Sequence, residues 1–238
     1  MICFLTSSIE DPATGQLNAA NQFIEKLREC FPTPCHALAI CSDPDSWDIT
    51  DYYALHTKNL FANAGFMMER LDTLDSRNEG LTAKLVQESN LLILFGGHVP
   101  TQNHFFKKIC LRDLLKNYDG VVIGISAGSM NSADTVYAQP EKEGEAVHPD
   151  YRRFLTGLNV TKTNLLPHYQ EIKDEVLDGL RVFEDIAYVD SMGKTFYAIP
   201  DGSYLLIDTG KEELYGEAYM VRDGAMRQIS AHGEVVSL

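Results

Sequence analysis

Residues 120–131 read Gly120-Val121-Val122-Ile123-Gly124-Ile125-Ser126-Ala127-Gly128-Ser129-Met130-Asn131. An uncharged, continuously apolar run of this kind is the pattern of a strand buried on both faces of a parallel sheet. It leads into Gly124, Ser126 and Gly128, the spacing of a GxSxG nucleophile elbow. Such an elbow holds a serine on a tight strand-to-helix turn, where the flanking glycines remove side chains that would clash. The hydroxyl then stands at the carboxyl end of the strand, over a helix N-terminus whose free N–H groups favour developing negative charge. A plain βα turn packed with small residues would also show glycines, but the apolar strand ahead of Ser126 favours the elbow.

Working outward, residues 91–95 form a second apolar run, closed by Gly96-Gly97. Residues 1–5, 36–40 and 66–71 read as further strands. Ala19, Ala20, Phe23, Ile24 and Leu27 share one helical face, and residues 49–64, 81–89 and 104–115 carry helical patterns too. This alternation predicts an α/β fold of three layers: a mainly parallel, Rossmann-like sheet with helices on both faces. The last third changes character. Residues 137–150 are acidic and aperiodic and read as a long loop, and 174–182 as a helix. Strands are expected at 195–199, 204–207, 217–221 and 226–229, separated by Asp201-Gly202, Thr209-Gly210 and Asp223-Gly224, the turn signals of hairpins. A C-terminal antiparallel extension of the sheet follows. With no Pro/Gly/Ser-rich linker and no repeat, residues 1–238 are read as a single domain.

Composition narrows the function. Of 238 residues, 34 are Asp or Glu against 20 Lys or Arg, a formal charge of −14, and 45% are hydrophobic. That is a globular balance, and the negative sign disfavours nucleic acid or an anionic membrane as partner. No apolar run approaches the roughly 20 residues needed to span a bilayer, and Met1–Thr6 lacks a basic leader region. A cytoplasmic location is expected. The five cysteines, an odd count without a CxxC pair, read as reduced thiols. A zinc site on Cys30 and Cys35 would lack a second pair, so neither a metal nor an organic cofactor is expected.

A serine nucleophile needs a base and an oxyanion site. Among seven histidines, His168 follows Leu165-Leu166-Pro167, which would end a strand at the elbow's edge of the sheet. His98 and His104, near the end of the 91–95 run, are the alternatives. The amides of Gly97 and Ala127 are the expected oxyanion donors, since a glycine turn and the residue after the nucleophile bring backbone close to a carbonyl. Asp208-Thr209-Gly210 resembles an aspartic protease strand, but such sites need two copies and a hairpin turn explains it more simply. His148-Pro149-Asp150 matches a co-chaperone tripeptide without the basic helical hairpin that motif requires. No Walker A, GxGxxG or HExxH pattern is present.

Leu94-Phe95-Gly96-Gly97, Gly124-Ile125-Ser126-Ala127-Gly128, Leu166-Pro167-His168 and Ile199-Pro200-Asp201-Gly202 together resemble the peptidase E (alpha-aspartyl dipeptidase) family. That family includes cyanophycinase and has the class I glutamine amidotransferase-like fold. The resemblance spans most of the chain, with the motifs in the same order. It implies Ser126 as nucleophile and His168 as base, and puts Asp201 where peptidase E has the Glu of a Pro-Glu-Gly segment. An acidic residue between nucleophile and base is also discussed for the family, and Asp150 is its nearest match, at the cost of a one-residue gap. The family's Gly-Asn-Thr continuation of the oxyanion segment is replaced here by His98-Val99-Pro100-Thr101-Gln102-Asn103. The expectation is a serine hydrolase acting through a Ser-His-Asp triad and an acyl-enzyme on a small peptide or amide, as a monomer or homodimer. An esterase or amidase with the same triad, or a non-catalytic binding module, are the alternatives. The acidic run 137–150 reads as a solvated face, with a cationic substrate group as its functional alternative.

Overall fold

The computed structural model describes residues 1–238. Its main sheet has eight strands in the order Val235–Ser237, Lys211–Tyr215, Tyr204–Asp208, Ile2–Thr6, Val121–Ile125, Leu91–Leu94, His36–Ile40, Arg70–Leu74. The five from Ile2–Thr6 to Arg70–Leu74 are parallel. The other three add antiparallel pairs. Side chains alternate across this sheet with the period of two that strand geometry imposes. Cys3, Leu5, Leu38, Ile40, Leu92, Leu94 and Val122 enter one core. Phe4, Ala37, Ala39, Leu91, Ile93, Val121 and Ile123 enter the other. Helices Phe23–Cys30 and Trp47–Asn63 cover the second face through Phe23, Leu27, Ala54, Leu60 and Phe61. Helices Thr82–Gln87, Val99–Lys108 and Leu111–Leu115 cover the first through Val86, Phe105, Phe106 and Leu111. The three-layer, mainly parallel arrangement with an antiparallel extension is the one the alternation predicts.

A smaller sheet stands beside it, in the order Asn164–Leu166, Thr195–Ala198, Ala218–Arg222, Ala225–Ser230. Its first pair is parallel and the rest antiparallel. A third apolar cluster joins this sheet to the elbow region, with Leu166, Phe196, Ala198 and Val221 meeting Ala127, Met130 and Ala133.

Several local expectations shift. The strand expected at 66–71 is Arg70–Leu74, because Phe66 and Met68 are buried in the core under helix Trp47–Asn63 while pairing with His36–Ile40 starts at Arg70. The helix expected at 104–115 begins at Val99, one residue past His98, and breaks at Cys110, whose φ is +53°. The helix expected at 174–182 is instead a short hairpin, Val176–Leu177 with Leu180–Arg181, followed by a wide helical turn over Val182–Ala187. Asp178-Gly179, both at positive φ, supply the hairpin turn. Thr209-Gly210 and Asp223-Gly224 close hairpins as expected, but Asp201-Gly202 does not. Thr195–Ala198 and Tyr204–Asp208 belong to different sheets, so this turn is a crossover between them.

Candidate active site

Strand Val121–Ile125 delivers Ser126 to the carboxyl edge of the parallel sheet, and helix Ala127–Asn131 starts at the next residue. Ser126 has φ +50° and ψ −112°, a conformation that costs an ordinary residue about 1–3 kcal/mol. Its surroundings hold it there. The Ser126 amide donates to the Thr6 carbonyl at 3.0 Å, and the Met130 amide donates to the Ser126 carbonyl at 3.0 Å. The Thr6 hydroxyl donates to the Gly124 carbonyl at 2.8 Å, and the Ser129 hydroxyl to the Thr6 carbonyl at 2.7 Å. Glycine is needed on both sides: a Cβ on Gly124 would lie 2.9 Å from the Ser129 nitrogen, and one on Gly128 would strike the Leu94 carbonyl.

The smaller sheet brings His168, the base expected from the sequence. His168 follows strand Asn164–Leu166, and its Nε2 lies 2.9 Å from Ser126 Oγ. Its Nδ1 lies 2.9 Å from Asp201 Oδ1. Asp201 reaches this point because it sits on the crossover just ahead of strand Tyr204–Asp208. Thr6 pairs with Tyr204 across the sheet, which sets that crossover at the same edge as Ser7. Ser7 is fully buried and ties the group together. Its hydroxyl donates to Asp201 Oδ1 at 2.6 Å and accepts from the His168 amide at 2.7 Å. The Gln170 side-chain oxygen accepts from the Asp201 amide at 3.0 Å.

Electrostatics follow from these contacts. Burial alone pulls the His168 imidazole down, but the hydrogen bond and charge of Asp201 outweigh it and hold His168 above its ordinary value. Burial pushes the Asp201 carboxyl up, and donors from His168 and Ser7 outweigh that and hold it below the usual carboxylate range. Both shifts stabilise an imidazolium–carboxylate pair. His168, Glu171 and Asp201 also place possible metal-ligand atoms within 4.8 Å of one another. Both His168 nitrogens are already committed to Ser126 and Asp201, so an ion there would have to displace those bonds.

Ser126 and His168 divide two hollows. A cleft of about 510 Å³ is lined by Ser7, Glu10, Ser42, Tyr53, His56, Gly96 and Gly97, among others. A smaller pocket of about 130 Å³ lies on the other side, against Met130, Gln139, Glu141, Leu166 and Ile172. Gly97 has φ +149°, and a Cβ there would lie 2.5 Å from Ser42, so glycine alone fits this turn. Its amide donates to no backbone acceptor, and the Ala127 amide is the first of the helix donors that lack an intrahelical partner. The Gln139 side-chain oxygen is buried without a partner. Although Glu141 keeps an exposed surface, protein packed around its carboxyl, with Glu145 beside it, pushes it up to about 7.

Of the residues singled out in the sequence, Ser126, His168, Asp201, Gly97 and Ala127 meet at one edge. Asp150 does not. It is exposed in the acidic segment, and the bond formed there is from its amide to the His148 ring at 3.2 Å, not to His168. His98 is committed elsewhere, to Thr101 and to Glu145, each at 2.8 Å. His104 is exposed on its helix. Asp208-Thr209-Gly210 is a hairpin turn. Ser7, Gln139 and Gln170 carry no motif, and only the folded edge brings them into view.

The family model of peptidase family S51 matches residues 43–215, a span that contains Ser126, His168 and Asp201. The chain belongs to peptidase family S51. It is accordingly a serine-type peptidase. Among solved structures, one from Listeria monocytogenes EGD-e, described as a candidate peptidase E protein, is similar in fold. The TM-score is 0.54 with 15% identity, over 96% of this chain and 98% of that one. No curated protein matches the chain. No helix of the peptidase is long and apolar enough to cross a membrane.

Proposed function

We propose that the peptidase cleaves small peptide or amide substrates through a Ser126–His168–Asp201 triad. The observation that carries this reading is the continuous hydrogen-bonded chain, 2.9 Å from Ser126 Oγ to His168 Nε2 and 2.9 Å from His168 Nδ1 to Asp201 Oδ1. Ser126 attacks the scissile carbonyl as His168 takes its proton. Asp201 holds the ring and stabilises the imidazolium, and the Gly97 and Ala127 amides hold the tetrahedral oxyanion. His168 then gives the proton to the leaving amine, and water repeats the sequence on the acyl-enzyme. The small hollows on either side of Ser126 support a substrate of a few residues.

A fluorophosphonate probe tests this directly. The unmutated chain should be labelled at Ser126, and Ser126→Ala should lose both the label and hydrolysis, by at least about 10⁴-fold in kcat/KM. Adding His168→Ala should cost little more, because nucleophile and base act as a unit. An unmutated chain that takes no label and turns over no amide would overturn the reading in favour of a binding module.

A further inference from the structure

We infer that the larger cleft is a specificity subsite for a substrate side chain bearing a cationic head on an aliphatic stem, with Glu10 as the residue that selects it. This rests on the hydrolase reading above and names the substrate class for the same site. Among the residues that line the cleft and the small pocket there is no Lys or Arg. The lining carboxylates are Glu10 on one side of Ser126 and Glu141 on the other. Glu10 lies on the short hairpin after strand Ile2–Thr6, facing helix Trp47–Asn63 across the cleft. Its Oε2 lies 2.7 Å from His56 Nε2, while its Oε1 has no partner in the protein. The Tyr52 ring lies parallel to His56, with planes 6° apart and centroids 6.2 Å apart. Glu10 thus lines the cleft with one carboxylate oxygen bonded to His56 and the other, on the Gly15 side of the hairpin, without a hydrogen-bond partner.

Hydrophobic side chains form part of the remaining wall, among serines, threonines and the Gly96-Gly97 turn. Helix Trp47–Asn63 turns Ile49, Tyr53, His56, Thr57 and Leu60 toward the cleft, the i, i+4, i+7, i+8, i+11 face of a helix, and Ile9, Phe95 and Ile125 complete it. The hydrophobic part of the wall beside a half-committed carboxylate matches the methylene stem and charged head of a lysine- or arginine-type side chain. An acidic side chain in the same place would face Glu10 with no arginine or lysine to receive it, a like-charge contact that costs binding. Peptidase E-like architecture is therefore paired here with a cleft of the opposite charge preference from an aspartyl site.

Lysyl, leucyl and aspartyl aminomethylcoumarin amides, each free and N-acetylated, test this on the wild type, Glu10→Gln and Glu10→Lys. The wild type should favour lysyl over leucyl by about tenfold in kcat/KM, the scale of a hydrogen bond to a charged group. That ratio should fall toward one in Glu10→Gln and favour aspartyl in Glu10→Lys, with the change carried by KM. Aspartyl preference in the wild type, a lysyl preference that survives Glu10→Gln, or selection lost on N-acetylation regardless of side chain would overturn it. If no amide is turned over, the triad reading fails separately, and calorimetry with lysinamide, leucinamide and aspartic acid amide still decides. Lysinamide binding that disappears in Glu10→Gln supports the subsite, and equal binding of all three overturns it.

Discussion

Ser7 shows how much a residue without a motif can do at this edge. Its one hydroxyl donates to Asp201 and accepts from the His168 backbone, so it ties together two members of the proposed triad. Ser7→Ala should lower kcat by about ten- to a hundredfold with little change in KM, the scale expected when reacting groups shift by up to about 1 Å. A loss confined to KM would assign Ser7 to substrate binding instead. Asp201 and Asp150 give a sharper contrast. Asp201→Asn should cost on the order of 10⁴-fold, as the same change does in a well-studied serine protease, while Asp150→Asn should stay within about tenfold. The pH profile carries the sign. As the proposed base, His168 must be neutral to accept a proton, and Asp201 raises it, so kcat/KM should fall as pH drops through a value above the ordinary imidazole range. In Asp201→Asn the burial that opposes Asp201 is left alone, and the acid limb should move to lower pH. An unmoved limb would show that another group controls it.

At the level of elements, the elbow is legible because its strand, glycines and helix lie within twelve residues, 120–131. Local sterics dictate it. The Val176–Arg181 hairpin is not legible in the same way, since its apolar residues fit a helical period while Asp178-Gly179 demands positive φ. Turn chemistry wins there. The break at Cys110 is similar: the apolar pattern runs on through Leu111–Leu115 although the backbone changes direction. Gly128 tests the elbow's packing. Its missing Cβ lets the elbow helix lie against the Leu94 carbonyl, so Gly128→Ala must push the helix off the sheet. We expect a loss of about 1–3 kcal/mol by denaturant unfolding, with slower fluorophosphonate labelling in the folded protein. Gly80→Ala, where a Cβ meets nothing within 4 Å, should stay within about 0.5 kcal/mol of wild type. A Gly128→Ala protein that kept wild-type labelling would show that the Ser126 backbone is held without that contact.

Across the whole molecule, the parallel core can be read from sequence because each βα unit announces itself locally. The division of C-terminal strands between two sheets cannot, since Thr195–Ala198 and Tyr204–Asp208 look alike and are sorted only by distant partners, Asn164–Leu166 for one and Ile2–Thr6 for the other. The same division decides the site. Ser126 and Ser7 lie at the edge of the main sheet, His168 follows a strand of the smaller one, and Asp201 lies on the crossover, so the distances within the proposed triad depend on how the sheets dock. Phe196 sits at that junction, fully buried, its ring stacked on Tyr137 at 4.1 Å between centroids and in the same cluster as Ala127 and Met130. Phe196→Ala should cost about 3–5 kcal/mol, and Leu74→Ala, equally buried but on the outermost parallel strand, about 2–5 kcal/mol. Stability alone does not separate them. The labelling rate of Ser126 does: at a temperature where both variants remain folded, Phe196→Ala should label more slowly than wild type and Leu74→Ala at the wild-type rate. The cavity at Phe196 loosens the interface that sets His168 against Ser126, whereas the cavity at Leu74 lies four strands from Ile2–Thr6. Equal labelling by both variants would mean that the hydrogen bonds through Ser7 hold the triad without help from the packing of the two sheets.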